Sequence, residues 1–322
     1  GTVAAVRNNG IGVAGVAPGV RIQPIRVLGK CGGTDWDIAM GMLWAAGEDI
    51  YNYDGSYGRI PVNSTPAKVL NLSLGGRYAK LSVAQEMCEF YDEVSQIVND
   101  RGATIVAAAG NEHGQANYTV PGSCPGFVSV AAITKTGAKA VYSNYGPTVD
   151  VAGPGGSGAP NNVPAPVGEQ IISTTNFGQT TPEANGYGFM AGTSMATPAV
   201  AATAALAYSV GIEDPVLVEQ VLKATARRSS CPASQCGAGV VSAKNVVNAD
   251  YPTTAPTVTG VAKVGSTLTA SKGTWKNGVA TALTWYRGAV AVGTGATYLV
   301  KPVDAGQRLS VRETSTSAVN AY

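Results

Sequence analysis

Ser194 stands in the run Gly192-Thr-Ser-Met-Ala-Thr-Pro198, directly ahead of an alanine-rich stretch, Ala199 to Tyr208, that reads as a helix. A serine at a helix N-terminus has its hydroxyl near unpaired N–H groups and the positive end of the helix dipole. Gly192 permits a sharp turn and close approach of a substrate. Pro198 is expected in the first helical turn, where no N–H is required. Taken alone, the run is equally a capped helix whose Ser or Thr bonds its own first turn. Nucleophilic chemistry needs more, because serine at its free pKa is a poor nucleophile and requires a base held by a carboxylate. The one histidine of the chain is His113, two residues after Asn111 in the polar run Asn-Glu-His-Gly-Gln. It reads as a surface residue rather than as that base.

The elements that must position Ser194 follow from hydrophobic patterning. Val20 to Val27 reads as a strand, Asp37 to Ala46 as a helix, and Val69-Leu-Asn-Leu-Ser-Leu74 as a strand ending in Gly75-Gly76. Val83 to Asp100 reads as a helix ended by Arg101-Gly102, and Thr104 to Ala109 and Phe127 to Ile133 as apolar strands. Largely apolar strands between helices indicate an α/β domain with a parallel sheet covered on both faces. Ligands of such sheets bind at the carboxyl ends of the strands. Ser73-Leu-Gly-Gly76 and Ala109-Gly-Asn111 both sit there. After Asp250 the pattern changes. Tyr251-Pro-Thr-Thr-Ala-Pro256 reads as a linker, and residues 257–322 carry short strands of period two, which indicate a small all-β sandwich.

Composition bounds the function. Of 322 residues, 45% are apolar and only 13% charged, with 41 glycines, which suits a secreted, loop-rich protein with a real core. The net charge of +2 with no basic stripe gives nucleic-acid binding no support. The longest apolar stretch, Ala199 to Val210, is too short to span a bilayer. There are five cysteines and no C-x-x-C, so disulfides are favoured over a metal site. Cys231 and Cys236 are close enough for a local bridge, whereas the pairing of Cys31, Cys88 and Cys124 is left open. The chain opens at Gly1 and closes on Val319-Asn-Ala-Tyr322, so it reads as a fragment whose signal peptide lies elsewhere. Asn63-Ser-Thr65 and Asn117-Tyr-Thr119 match glycosylation sequons without further support, and the glycine-rich run from Gly153 to Asn162 reads as a surface insertion.

Four segments in order resemble the subtilisin-like serine proteases: Gly1-Thr-Val-Ala-Ala to Pro18, Val69 to Gly76, Ala107-Ala-Ala-Gly-Asn111 and Gly192 to Pro198. The resemblance implies a three-layer α/β fold over residues 1–250. It implies Ser194 as nucleophile and the Asn111 amide as oxyanion donor, with the Ser194 N–H as second donor. Ser73, Leu74 and Gly75 would pair with the substrate backbone, flanked by Gly32, Gly33 and Thr34. Ala108, Ala109 and Gly110 would wall the pocket for the P1 side chain, with Thr119 at a floor where the family often has glycine. Val120-Pro121 would be cis. The loop Arg7 to Val13 resembles a structural calcium loop, with ligands from the Asn9 side chain and the carbonyls of Arg7, Ile11 and Val13. No cofactor is implied for catalysis.

The same resemblance places the histidine base about six residues before Gly1, with the aspartate and its central strand further upstream. The strands at Val20 to Val27 and Lys68 to Ser73 would then flank an absent strand and not bond each other. Trp285, Tyr298 and Asp304-Ala-Gly306 resemble bacterial immunoglobulin-like modules without a cysteine pair. The function implied is a secreted, extracellular, monomeric endopeptidase acting on proteins or peptides, inactive as this fragment. The competing readings are a degenerate protease domain that only binds peptides or cell wall, and an anchoring module bearing an exposed Trp275.

Overall fold

A computed structural model describes residues 1–53, 55–158, 168–288 and 290–315. The chain divides into two units, Gly1–Val247 and Asn248–Tyr322. The first is built on four parallel strands: β1 (Val69–Leu72), β2 (Thr104–Ala108), β3 (Phe127–Ile133) and β4 (Val151–Pro154), in that spatial order. Every residue of β2 and β3 is buried, as expected of parallel strands covered on both faces. Leu70, Leu72, Ile105 and Ala107 recur with a period of two and share one cluster with the helices α1 (Asp35–Ala45) and α2 (Leu81–Asp100). The longest alanine-rich helix, α3 (Thr193–Ser209), lies against all four strands, its small side chains permitting close approach.

Local chemistry sets the ends. Thr34 caps α1 reciprocally with Asp37: its hydroxyl accepts the Asp37 N–H, and the Asp37 carboxylate accepts the Thr34 N–H. Arg101-Gly102 ends α2, with Gly102 at φ +78°. Three sequence expectations need correction. Val20–Val27 is not a strand. Ile25 and Val27 turn toward the α1 cluster while Arg26 and Leu28 face out, yet no strand lies beside the segment to complete a ladder. It and β1 are not hydrogen-bonded to each other, and β1 is an edge strand paired only with β2. Pro198 falls in the second turn of α3, because the helix begins at Thr193. Gly153, within β4, and Gly155 and Gly156, directly after it, are buried rather than on the surface; residues 159–162 of the expected surface insertion lie outside the described residues.

Cys231 and Cys236 are bridged, and a second disulfide joins Cys88 on α2 to Cys124; Cys31 is free and exposed. Asn63 is buried, its amide bonded to Gln23 and the Ala45 carbonyl, so its sequon is not presented.

The second unit has two three-stranded antiparallel sheets. One orders Thr297–Leu299, Thr267–Ser271 and Thr257–Thr259; the other orders Val290–Thr294, Thr281–Arg287 and Leu309–Ser315. Residues 253 and 254 bond Thr274, so the segment expected as a linker makes contacts inside this unit. Trp285 is fully buried, stacks on Tyr298 at 5.5 Å and donates to the Gly295 carbonyl at 2.9 Å. Trp275 is half-buried rather than exposed, and its indole nitrogen is enclosed. Asp304 is buried and accepts from Lys301 N–H (2.8 Å), Tyr298 hydroxyl (2.9 Å) and Arg287 Nε (2.7 Å). The Lys301 N–H first, then the Arg287 guanidinium, hold its carboxyl below the usual range against the opposing effect of burial. The final residues, Val319–Tyr322, read as an unpartnered strand, lie outside the described residues.

Three outcomes follow. The Cys88–Cys124 bridge closes a loop of 36 residues and the Cys231–Cys236 bridge one of 5. Replacing Cys88 and Cys124 by alanine is expected to cost about 4 kcal/mol in denaturant unfolding, and replacing Cys231 and Cys236 about 2 kcal/mol. Trp285→Ala is expected to destabilise the second unit by about 3–5 kcal/mol in the same measurement. A depressed folded-state pKa at Asp304 means its stabilisation is fully present above the ordinary value of 3.8 and is lost as pH falls through the folded one. Acid unfolding of the second unit, followed by Trp285 fluorescence, should therefore lose part of its steepness below pH 3.8 in Asp304→Asn.

Candidate active site

The first turn of α3 carries backbone groups that the helix cannot satisfy. Gly192 provides no side-chain cap. The Thr193 N–H instead donates to Oδ1 of Asn111, 2.8 Å away, and the Thr193 hydroxyl donates to the same oxygen at 2.9 Å. Both donors fix the amide flip, so Nδ2 of Asn111 is the end left free as a donor. Pro198 has no N–H to give to the carbonyl four residues back, that of Ser194. That carbonyl accepts the Ser73 hydroxyl at 2.8 Å, and the Ser194 hydroxyl in turn donates to the Ser73 carbonyl at 3.2 Å. Asn71 donates to the Ser73 hydroxyl at 3.0 Å. The end of β1, the end of β2 and the start of α3 are thus tied at one point.

These groups border a cleft of about 520 Å³. Of the residues expected from sequence, Ser73, Leu74, Gly75, Gly32, Gly33, Ala108, Gly110, Asn111, Thr119 and Ser194 line it. Ala109 does not, because its side chain packs in a core cluster with Ala131 and Ala152. Nor does Thr34, whose hydroxyl is engaged at the N-cap of α1. Gly110 has φ +101°, and a Cβ there would meet the Asn144 amide at 2.3 Å, so only glycine fits. Val120–Pro121 is cis, as expected, and turns the wall behind Thr119.

Sequence reading missed the hub beneath this wall. Asn144 is buried; its Nδ2 donates to the Ala109 carbonyl, Thr119 Oγ1 (both 3.0 Å) and Glu112 Oε2 (2.6 Å), while its Oδ1 accepts the N–H groups of Glu112 and Gly114. Glu112 also accepts the Asn111 N–H at 3.0 Å. The only sequence signal was an Asn in a Ser-Asn-Tyr-Gly turn, which is too common to single out. Asp35, also missed, lines the cleft at the start of α1. It accepts the Tyr78 hydroxyl on Oδ2 and the Tyr91 hydroxyl on Oδ1, each at 2.9 Å. Burial, then Asp35, raises the Tyr78 phenol to about 12 and the Tyr91 phenol further, so both remain donors.

His113 is not beside Ser194. Its ring lies against the Val141 carbonyl and edge-on to Tyr145, on the exposed loop. In the Arg7–Val13 loop the Asn9 side-chain oxygen accepts the Ile11 N–H at 3.0 Å, and Arg7, Asn9 and Ile11 are exposed. Oxygen donors suit calcium, but the loop itself carries no carboxylate, and its Asn9 oxygen already accepts the Ile11 N–H. The residues present do not by themselves fit the ion. No helix among the described residues is long and apolar enough to cross a membrane.

Comparison with known proteins agrees with this architecture. The chain is 43% identical over 253 residues to an extracellular protease of Xanthomonas campestris pv. campestris, covering 77% of this chain and 39% of that protein. It is 42% identical over 255 residues to the extracellular basic protease of Dichelobacter nodosus, covering 77% and 38%. The chain therefore spans less than two-fifths of the length of these relatives. A solved protease structure from Pseudoalteromonas arctica PAMC 21717 superposes with a TM-score of 0.67 at 42% identity, over 77% of this chain and 68% of that one. The sequence model of the subtilase family (peptidase S8) matches residues 1–239, most of the first unit, and with the site geometry above this chain belongs to the subtilase family.

Proposed function

We propose that this chain is the nucleophile-bearing part of a secreted serine endopeptidase. The observation that carries the reading is the Asn111 amide, locked by Thr193 so that Nδ2 remains free beside Ser194 in the cleft. A protein that only binds peptides has no chemical need for that arrangement. The Ser194 oxygen attacks the scissile carbonyl carbon, and its proton passes to a base. The resulting oxyanion accepts from Asn111 Nδ2 and the Ser194 N–H. Collapse expels the amine, which takes that proton, and water then hydrolyses the acyl ester. Ser73, Leu74 and Gly75 hold the substrate backbone as an added strand. Thr119 and the Asn144 hub shorten the P1 pocket and so disfavour a large aromatic P1 side chain.

The single histidine stands away from Ser194. On this reading the base and its carboxylate come from residues outside these 322, which leaves the chain alone inactive. A calcium ion at Arg7–Val13 likewise needs ligands from outside the loop. The second unit serves as an appended immunoglobulin-like module, in line with its buried Trp285 and the Tyr298–Asp304 bond.

The reading is tested by labelling with a peptidyl organophosphonate. The chain alone should show no serine-specific adduct. A longer natural chain that contains it should be labelled at Ser194 and nowhere else. Labelling of the chain alone at the rate of an intact protease would overturn the external base. In the active protein, Asn111→Ala should lower kcat about 10²–10³-fold with little change in KM. Thr193→Val removes one of the two anchors on Asn111, and should lower kcat by about tenfold, again without a matching rise in KM.

A further inference from the structure

Gly192, the residue before α3, donates its N–H to the Gly155 carbonyl at 3.0 Å, and its own carbonyl accepts the N–H groups of Met195 (3.0 Å) and Ala196 (3.3 Å). Gly155 therefore sets where the helix that bears Ser194 begins. A buried side chain outside the cleft holds Gly155 in turn. The Tyr142 hydroxyl shares its one hydrogen between the Gly155 carbonyl at 2.7 Å and the Gly156 carbonyl at 2.8 Å. The junction has no slack: a Cβ on Gly155 would lie 2.4 Å from Ala132 Cβ, 2.8 Å from the Gly192 carbonyl oxygen and 2.9 Å from the Tyr142 hydroxyl. Burial raises the Tyr142 phenol above its ordinary pKa, against a smaller opposing effect of the Gly192 backbone, so the hydroxyl stays protonated and remains a donor.

The backbone of the same turn reaches the other half of the site. The Tyr142 carbonyl accepts the His113 N–H at 2.8 Å, two residues past Asn111, and the Gly110 carbonyl accepts the Asn144 N–H at 3.0 Å. The turn is itself fastened to β3: the Ser143 hydroxyl accepts the Ala132 N–H at 2.9 Å, and the Ala132 carbonyl accepts the Ala140 N–H at 2.9 Å. Lys139 closes it, donating from Nζ to the carbonyls of Ala140 (3.0 Å) and Ser143 (2.9 Å). One rigid turn thus touches both the loop that carries Asn111 and the support of the residue before α3. A misplacement of about 1 Å at a reacting group can cost about 10²-fold in rate, even when its cause lies far from the chemistry. We propose that Tyr142 is a positioning residue for the hydrolysis: its phenol fixes the Gly192 turn that presents Ser194, while its backbone carbonyl fixes the loop that presents Asn111. The proposal rests on the protease reading and adds to it a residue that does not border the cleft. In Tyr142→Phe the ring still fills its place, but the Gly156 carbonyl loses its donor and the Gly155 carbonyl keeps only the Gly192 N–H. The backbone under Gly192 is then free to shift, and Ser194 shifts with it.

The test uses the longer natural chain that contains these residues. In Tyr142→Phe, kcat should fall about tenfold with KM changed by less than about twofold, and phosphonate labelling of Ser194 should slow by the same factor as kcat. Tyr208→Phe is the comparison. Tyr208 lies in the last turn of α3, at the end away from Ser194, and its hydroxyl donates to the Gly102 carbonyl at 3.1 Å. That variant should lower the melting temperature and leave kcat and the labelling rate as they were. In the unmodified protein the Gly192 amide should exchange with deuterium as slowly as the amides of β3, a readout that survives if the Tyr142 variant fails to fold. A Tyr142→Phe protein that melts earlier but keeps its kcat and labelling rate shows a purely structural phenol and overturns the proposal, leaving the protease reading intact. A rise in KM at constant kcat, or exchange at Gly192 as fast as in an exposed loop, overturns it as well. No hydrolysis and no labelling of Ser194 in the unmodified protein overturns both.

Discussion

The opening turn of α3 governs this structure, because two of its backbone groups find their partners only on other elements. The Thr193 N–H has no acceptor within the helix, and the Ser194 carbonyl loses its donor to Pro198. A buried polar group left unpaired costs about 1–3 kcal/mol. Asn111, just past the end of β2, supplies the acceptor, and Ser73, just past the end of β1, supplies the donor. Satisfying the helix therefore forces two strand ends and a helix start to converge. The bonds that close the turn also aim the Asn111 amide and set the Ser73 carbonyl beside the Ser194 hydroxyl. Stability and chemistry share the same hydrogen bonds, so a change that loosens one disturbs the other.

The layers around that point make the convergence rigid. Strands β2 and β3 are buried throughout, and α3 approaches them closely because its inner face is mostly alanine, Ala196, Ala199, Ala202 and Ala207 among them. Larger side chains there would hold the helix off the sheet and lengthen the Asn111–Thr193 bond. On the other wall, Asn144 ties Ala109, Thr119 and the Glu112–Gly114 turn to one buried amide. The loop that carries Asn111 is thus held at its start by Asn144 and at its tip by Thr193.

The sheet is less complete at its other margin. β1 has one strand neighbour, and the extended segment near Ile25 and Val27 packs side chains on α1 without joining a ladder. Apolar alternation was enough to predict an extended chain there. A ladder needs a second strand at hydrogen-bonding distance, and patterning within one segment carries no information about that neighbour.

The sequence alone determined the strands β1 to β3, the helices α1 and α2, the local Cys231–Cys236 bridge and the change of architecture after Asp250. Each is written in periodicity, turn residues or short spacing, which act over a few neighbouring positions. The resemblance of Gly192–Pro198 and Ala107–Asn111 to known motifs pointed to Ser194 and Asn111. Only the tertiary structure decided the rest. It paired Cys88 with Cys124, turned the Ala109 side chain into the core, gave Thr34 to the helix cap and moved Pro198 into the second turn of α3. It also brought Asp35 to Tyr78 and Tyr91, and Asn144 to Thr119, across 43, 56 and 25 residues of chain. Such contacts depend on where whole elements cross in space, and no local pattern of residue types encodes that crossing.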